Sequence, residues 1–322
     1  MGVIGEGSAN HNQSVDFGST GLKVTKLGLG TAPIAGLFTD VSPSDAEDVV
    51  NSALRAGIRY FDTAPLYGSG LAESRLGNAL KDTPSSQLVV SSKVGRLLSS
   101  NAFDVKKSRS LEAPVVDFSE YAIRKSLEDS LLRMNRDHID ILYIHDPDNF
   151  VHEALTLAYP ALQKMKNEGL VKAIGVGMNQ SEVPFKFVQE TEIDAVLVAG
   201  RYTLLDQGAA DQLLPAALAK GVAIVVGGVY NSGILADPDN APKYNYADAP
   251  VELVAKARKI RAFFAQWDVP LTAAAIQFPF RHAAVTTVLT GAKSVGELNA
   301  NISAFNYPIP EECWQRFEAL SF

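Results

Sequence analysis

Eight apolar runs of strand length alternate with helical patterns along the chain, and this order restricts the possible folds. The runs are Leu27–Gly30, Ile58–Phe61, Leu88–Ser91, Ile139–Ile144, Val171–Val176, Ala195–Val198, Val222–Val226 and Val285–Leu289. Most are apolar throughout instead of alternating, which is typical of parallel strands covered on both faces. Eight strand–helix units in order therefore predict an α/β fold of the (β/α)8 TIM barrel type rather than an open sheet.

The helical patterns between these runs carry start and stop signals. In the first, Ser44 is the expected N-cap, acidic residues fill the first turn, and Gly57 ends the helix. The other patterns span about 71–81, 119–134, 153–168, 181–189, 209–220, 271–280 and 294–304, with extra helices expected at 252–267 and from Pro310 onward. The whole chain is thus predicted to be one barrel domain.

The segments outside this repeat have separate interpretations. Residues 1–13 are rich in Gly, Asn and Ser and are expected to form a flexible terminus. Residues 15–24 predict a β-hairpin around Gly18–Gly21. Longer insertions follow strands at about 95–117, 200–208 and 228–250. Because segments that follow barrel strands lie on the face where active sites are built, these insertions are candidate lids and pocket walls.

Composition restricts the partners. The net charge of -7 comes from interspersed acidic and basic residues, so nucleic acid and membrane surfaces are not expected partners. Cys313 is the single cysteine, which excludes an intramolecular disulfide and a cysteine-based metal cluster. The N-terminus lacks a signal-peptide pattern and no apolar run reaches about 18 residues, so a cytoplasmic protein is expected.

Polar side chains follow three consecutive strands. Asp62 ends the second strand and Tyr67 comes five residues later, while Lys93 and His145 end the third and fourth strands. Each alone is more often a turn residue or a solvated charge. Together they form a possible catalytic site, in which an Asp62–Lys93 ion pair lowers the pKa of Tyr67 from about 10. His145 would then hydrogen-bond and orient the substrate oxygen.

These residues and their neighbours resemble the catalytic tetrad of the aldo-keto reductases. The matching segments are 61–64 with Tyr67, 92–93 and 142–146, and the resemblance extends from about Leu22 to Ile302. It implies that Tyr67 gives or takes the proton during hydride transfer with a nicotinamide at the barrel mouth. It implies no metal.

Four further segments resemble one branch of that family. Residues 71–77, 199–207, 228–235 and 244–246 are similar to the branch with L-fucose (D-threo-aldose) 1-dehydrogenases, pyridoxal 4-dehydrogenase and L-galactose dehydrogenase. The resemblance implies oxidation of a cyclic hemiacetal, such as that of L-fucose or D-arabinose, to a lactone. Pyridoxal, oxidised to its lactone, is the alternative substrate. A non-catalytic nucleotide-sensing barrel is a third interpretation, and the intact tetrad argues against it.

The cofactor site is expected late in the chain. Gly28–Gly30 begins a dinucleotide fingerprint, but no third glycine or helix start follows, so a Rossmann site is rejected. The helix that follows the eighth strand offers its N-terminus to a phosphate instead. The resemblance implies cofactor contacts from Asn179, Gly228, Ser232, Gly233, Gly291, Lys293, Glu297 and Asn301. Met178 competes with Asn179 for the amide-binding place, and Asn179 is preferred because it can hydrogen-bond a carboxamide.

The preferred cofactor depends on one position of the last barrel helix. Many aldo-keto reductases have a basic residue there that holds the 2′-phosphate of NADP, whereas this chain has Glu297. A carboxylate repels that phosphate and can accept hydrogen bonds from a free ribose, so NAD is expected. NADP stays an alternative, because a Lys293 side chain turned inward could neutralise the phosphate. The aromatic residues Phe38, Tyr230, Tyr244 and Tyr246 are the expected substrate-pocket walls, because aromatic faces stack on sugars and pyridines alike.

Overall fold

Eight parallel strands close into a barrel in the computed structural model, which describes residues 10–37, 39–98, 114–240 and 242–320. The strands are β1 Leu27–Gly30, β2 Tyr60–Asp62, β3 Val89–Val94, β4 Ile141–His145, β5 Ala173–Met178, β6 Ala195–Ala199, β7 Ala223–Gly227 and β8 Val285–Gly291. Each pairs with the next, and β8 closes the ring by pairing with β1. The predicted TIM barrel is confirmed: β1 has the predicted bounds, and the ends of the other strands differ from the prediction by up to three residues.

Ten longer helices are described around and beyond the strands. They are α1 Pro43–Arg55, α2 Leu71–Leu80, α3 Glu120–Met134, α4 Tyr159–Asn167, α5 Glu182–Glu190, α6 Leu213–Lys220, α7 Val251–Ala265, α8 Leu271–Gln277, α9 Val295–Phe305 and α10 Glu311–Glu318. Shorter 3-10 turns lie at Pro33–Ala35, Ser85–Gln87, Gly208–Ala210, Asn231–Gly233 and Phe278–Arg281. Within the described part of the chain, no helix is both long and apolar enough to span a membrane.

Two helix starts differ from their predictions. The N-cap of α1 is Ser42, not Ser44, since the Ser42 hydroxyl accepts a 3.0 Å hydrogen bond from the Asp45 N–H. The helix that leads into α4 starts at Val151 instead of about 153, and it passes through a π-helical stretch at Ala154–Ala158 before α4. Pro160 lacks an N–H to donate four residues back, so the regular hydrogen-bond ladder is interrupted in this region.

The predicted hairpin closes the N-terminal end of the barrel. Ser14–Asp16 pairs antiparallel with Lys23–Thr25, and Phe17 at its tip is fully buried against the Tyr60 ring, with centroids 6.2 Å apart. Apolar side chains from several strands complete this inner cluster. The opposite, C-terminal end of the barrel is therefore the end left for a ligand.

The predicted flexible terminus lies mostly outside the described residues. Its last part is held in place: the Leu27 N–H donates to the His11 carbonyl and the Lys26 N–H to the Gln13 carbonyl. The His11 imidazole also contacts the Ala56 carbonyl at 2.9 Å. For residues 10–13 the expectation of flexibility is wrong, because these bonds join them to the start of β1.

Two insertions after strands contain short antiparallel pairs. Arg96–Leu97 pairs with Val115–Val116, and residues 99–113 between them lie outside the described part. Lys243–Tyr244 pairs with Ala247–Asp248 in the insertion after β7. Both pairs are located at the C-terminal end of the barrel, where the sequence places the pocket walls.

Gly77 provides a test of helix packing. A Cβ added to this residue of α2 would overlap the Met134 carbonyl at the end of α3, so Gly77→Ala forces backbone to move. We expect a loss of about 1–3 kcal/mol in unfolding free energy, measured by urea denaturation. The matched control is Gly296→Ala in α9, where a new Cβ meets only the Ser294 hydroxyl at 3.8 Å. The control should be neutral or stabilising, and equal effects at both sites would contradict the packing argument.

Candidate active site

A buried ion pair joins β2 to β3 at the barrel rim. Asp62 lies opposite Ser91 in the parallel register, and Lys93 follows two residues further along the same face of β3. The Lys93 ammonium donates to Asp62 Oδ2 at 2.7 Å and to the Thr63 carbonyl at 2.9 Å. The two charged side chains are only 2% and 4% exposed. The ion pair expected from the sequence is therefore present.

A chain of hydroxyl groups holds the other oxygen of Asp62. Ser91 donates to Asp62 Oδ1 at 2.7 Å, and its hydroxyl also lies 3.1 Å from the Tyr60 hydroxyl. Tyr60 in turn contacts the Tyr143 hydroxyl at 3.2 Å. Both carboxylate oxygens of Asp62 thus have buried partners, which fixes the carboxylate in one orientation.

The neighbouring residue of β3 is anchored on the outside of the barrel. The Ser92 hydroxyl donates to Glu73 Oε1 at 2.8 Å, and Arg133 of α3 pairs with the same carboxylate. Glu73 and Arg133 are both buried, so removal of Arg133 would leave the Glu73 carboxylate buried without its ionic partner. The sequence analysis did not identify this support, although two serines within an apolar strand were a signal for it.

Tyr67 projects over the ammonium of Lys93. The Lys93 Nζ lies 4.7 Å from the Tyr67 ring centroid, and the phenol is half-buried beside the ligand cavity. Burial raises the pKa of Tyr67 above 10, the Lys93 charge offsets this in part, and Asp62 raises it further. The expectation of a lowered pKa is wrong in its net direction, because desolvation outweighs the ammonium and Asp62 neutralises part of its charge.

His145 lies beside Tyr67 and is neutral. The two rings meet edge to face with centroids 6.1 Å apart. Burial lowers the pKa of His145 well below 6.5, and the charges of Lys93 and Arg96 lower it further. Among the described residues its buried Nδ1 has no hydrogen-bond partner, and its Nε2 lies 3.5 Å from Asp146 Oδ2. A neutral imidazole carries one N–H, which can donate to a substrate oxygen.

The ion pair also affects Lys93 itself. Burial alone would lower the pKa of Lys93, but Asp62 and Tyr67 raise it by more, so the net pKa lies above 10.5. Lys93 is therefore a fixed cation throughout the neutral range. Tyr67, Lys93, Asp62 and His145 are brought together as the sequence predicts.

A cavity of about 460 Å³ opens next to Tyr67 and has the size of a small-molecule site. Most of the expected cofactor and pocket residues line it, namely Asn179, Gly228, Tyr230, Ser232, Gly233, Tyr246, Gly291, Lys293 and Glu297. Ala199 and Gly227 also contribute to the wall. The cavity extends from the β2 rim to the corner between β8 and α9.

The corner between β8 and α9 is a capped helix start. Ser294 accepts a 3.2 Å hydrogen bond from the Glu297 N–H, and Glu297 Oε2 accepts one of 2.9 Å from the Lys293 N–H. The Lys293 ammonium lies 3.6 Å from the same carboxylate. Backbone N–H groups at a helix start suit a phosphate, and here the adjacent Lys293 ammonium is paired with the Glu297 carboxylate.

The segment after β7 has an unusual backbone. Gly228, Asn231, Ser232 and Gly233 all have positive φ, between 45° and 110°. A Cβ on Gly228 would approach the Gly200 N to 3.1 Å, so the close contact between the two insertions requires glycine there.

Asn231 is a site residue that the sequence analysis missed. It is 4% exposed and lines the cavity, and its Nδ2 donates to the Gly200 carbonyl at 3.1 Å. No described residue donates to its buried Oδ1, so this oxygen can accept from a bound amide or hydroxyl. An asparagine between Gly228 and Gly233 was the signal that could have identified it.

Asn301 lies behind the wall of the cavity. Its Nδ2 donates to the Gly291 carbonyl at 3.2 Å, and its Oδ1 accepts from the Tyr230 hydroxyl at 3.1 Å. The amide therefore positions two residues that line the cavity instead of lining it itself.

Tyr244, an expected pocket wall, is not among the residues that line the cavity and instead joins the two insertions. Its hydroxyl donates to Asp206 at 3.1 Å and accepts from Arg201 at 3.3 Å, while Arg201 also donates to Asn245. These bonds hold the short pair after β7 against the segment after β6. Phe38, the remaining expected pocket residue, lies outside the described residues.

Comparison with known proteins agrees with this geometry. The Aldo/keto reductase family model matches residues 26–321. Pyridoxal 4-dehydrogenase of Microbacterium luteolum is 39% identical, with 92% of this chain and 94% of the relative covered. D-threo-aldose 1-dehydrogenase of a Pseudomonas species is 41% identical with the same coverage. The holo form of an aldo-keto reductase from Bacillus halodurans superposes with a TM-score of 0.77 at 25% identity, covering 96% of both chains.

The neutral state of His145 predicts a pH-dependent stability. Its folded pKa is lowered, so below about pH 6.5 the unfolded chain binds a proton that the folded protein does not, and stability falls as the pH falls. Between pH 7.5 and 5.5 the wild type should lose up to about 1.4 kcal/mol more than His145→Gln, measured by urea unfolding at both pH values. An equal loss in both proteins would show that His145 is not held neutral.

Proposed function

Because the chain belongs to the aldo/keto reductase family, we propose that it is an aldose 1-dehydrogenase. It would oxidise the hemiacetal carbon of a sugar such as L-fucose or D-arabinose to a lactone with a nicotinamide cofactor. The observation that carries this proposal is the Lys93–Asp62 pair beneath Tyr67 at the edge of a ligand-sized cavity. The similarity to D-threo-aldose 1-dehydrogenase supports the substrate class.

The side chains have separate tasks in this reaction. The hydroxyl of the hemiacetal would lie between Tyr67 and His145, and its proton would pass to the Tyr67 oxygen as the C1–H leaves as hydride. A bound oxidised nicotinamide would supply the hydride acceptor. Since burial raises the pKa of Tyr67, the phenol is protonated in the resting site and must lose that proton before it can act as a base. The adjacent Lys93 charge lowers the cost of this step.

In the opposite direction, reduction of a carbonyl, Tyr67 already carries the proton that it has to donate. A protonated Tyr67 can give its proton to a carbonyl oxygen that His145 also holds by an N–H bond. The neutral imidazole orients that oxygen without competing as a strong acid. The site therefore supports both oxidation and reduction.

Pyridoxal is the second candidate substrate. It is favoured by the 39% identity to pyridoxal 4-dehydrogenase and by the aromatic side chains of Tyr230 and Tyr246 in the cavity wall. Its hemiacetal would present the same reacting hydroxyl to Tyr67, and an aromatic ring would stack where a sugar otherwise makes polar contacts.

We further propose that NAD is preferred over NADP. Glu297 lines the cavity at the start of α9, and its carboxylate is the group closest to the Lys293 ammonium and backbone N–H. A 2′-phosphate at this corner would face a carboxylate, whereas ribose hydroxyls could donate to it.

One rate panel tests the substrate and the assigned proton donor. Initial rates with NAD and NADP are measured against L-fucose, D-arabinose, L-galactose and pyridoxal. We expect NAD-dependent oxidation of at least one of them, and a loss of about 10²–10⁴-fold in kcat for Tyr67→Phe. Tyr121→Phe makes the same chemical change on the exposed surface of α3 and should leave the rate unchanged. Wild-type rates in Tyr67→Phe would rule out the mechanism.

The cofactor preference is tested at Glu297. Glu297→Arg should raise the ratio of kcat/KM for NADP to that for NAD at least about tenfold, because guanidinium groups pair well with phosphate. Glu297→Gln removes the charge but keeps an acceptor for the helix cap, and should give a smaller rise. Glu252→Arg in the first turn of α7 is the control for added charge. A wild type that already prefers NADP would contradict the proposal.

A further inference from the structure

Asp146 follows the catalytic-site histidine and has a constrained backbone. Its φ is +44°, a left-handed conformation that is uncommon outside glycine. Its N–H donates to the Gly177 carbonyl at 3.0 Å, and its own carbonyl accepts from Arg96 at 2.9 Å. Bonds on both sides thus hold this residue in a strained conformation directly at the reaction site, which points to a functional reason.

The carboxylate of Asp146 is available to a ligand. Its Oδ2 lies 3.5 Å from His145 Nε2, and the side chain is 36% exposed. Within the described residues, no donor makes a hydrogen bond to this carboxylate. An ionised carboxylate has several acceptor positions, so this one can receive a hydroxyl from a bound molecule.

Other site residues enclose the same space. Burial raises the pKa of Tyr246, with the Asp146 charge as the next cause and Lys93 acting in the opposite direction. The phenol of Tyr246 lines the cavity together with Tyr67. Tyr67 and Tyr246 line the cavity, His145 lies beside Tyr67, and the Asp146 carboxylate lies 3.5 Å from His145 Nε2. Asp146 is therefore next to a substrate whose reacting oxygen lies between Tyr67 and His145.

We propose that Asp146 is a substrate-specificity residue whose carboxylate accepts a hydrogen bond from the hydroxyl on the carbon next to the reacting carbon. This rests on the proposed function, which places the reacting oxygen between Tyr67 and His145. Oxygens on adjacent carbons lie about as far apart as Asp146 Oδ2 and His145 Nε2, so one neighbour can bind each group. The preferred substrates are then neutral molecules with adjacent hydroxyls, and anionic groups at this position are repelled.

A purely structural role for Asp146 predicts something different. Asn and Gly tolerate positive φ at least as well as Asp, so a turn that needs only the backbone would be unaffected by either substitution. Asp146→Asn removes the charge and Asp146→Gly removes the side chain, while both keep the left-handed conformation accessible. Asp148→Asn, two residues further along the same segment, is the matched control.

The test uses two sugars that differ only in one hydroxyl. D-arabinose and 2-deoxy-D-ribose share every group except the C2 hydroxyl next to the reacting carbon. Wild type should favour D-arabinose in kcat/KM, and Asp146→Gly should lower this ratio at least about tenfold through D-arabinose alone. Asp146→Asn should lie between, and Asp148→Asn should keep the wild-type ratio. An unchanged ratio in Asp146→Gly would overturn the proposal.

A second pair of substrates distinguishes a failure of the Asp146 proposal from a failure of the proposed function. Lactaldehyde and propanal, reduced with NADH, also differ by the hydroxyl next to the reacting carbon. If wild type oxidises neither these two sugars nor any sugar of the rate panel, the aldose assignment fails, and the aldehyde ratio decides the role of Asp146. A tenfold fall of that ratio in Asp146→Gly supports the specificity role, and an unchanged ratio overturns it. If the wild type reacts with neither pair of substrates, the Asp146 proposal is overturned, and if it also oxidises no sugar of the rate panel, the proposed function is overturned with it.

Discussion

The buried ion pair between Lys93 and Asp62 is the interaction on which the site depends. Two charges removed from water are stable only if their geometry is fixed and their remaining hydrogen-bond donors and acceptors have partners. Here Ser91 and the Thr63 carbonyl satisfy them, and the parallel register of β2 and β3 sets the distance. Tyr67 is then placed over a permanent cation, and the catalytic chemistry follows from that placement.

The catalytic side chains and the cavity walls belong to different kinds of structural element. The ion pair and His145 belong to barrel strands, whose positions are fixed by neighbouring strands. Many of the cavity-lining residues belong to the segment after β7, which Asn231 and Tyr244 hold against the segment after β6. A rigid reacting group beside variable walls allows one reaction to be used with different substrates.

Much of this arrangement can be predicted from the sequence, and the remainder depends on burial. Apolar runs locate the strands, and polar residues at their ends locate Asp62, Lys93 and His145, because strand order alone brings these ends together. The net pKa of Tyr67 could not be predicted, since it is set by desolvation from surrounding elements. The left-handed conformations of Asn231 and Asp146 result from distant hydrogen bonds. The inward amide of Asn301 likewise depends on tertiary contacts.

The N-terminal hairpin has a consequence for proton movement. With Phe17 and its apolar neighbours filling one end of the barrel, the hydroxyl chain from Asp62 through Ser91 and Tyr60 to Tyr143 ends in a dry interior. A proton released at Tyr67 has no exit in that direction. Among the described residues, the cavity beside Tyr67 is then the opening through which its proton can exchange with solvent. Whatever covers this cavity during turnover also isolates that proton from bulk water.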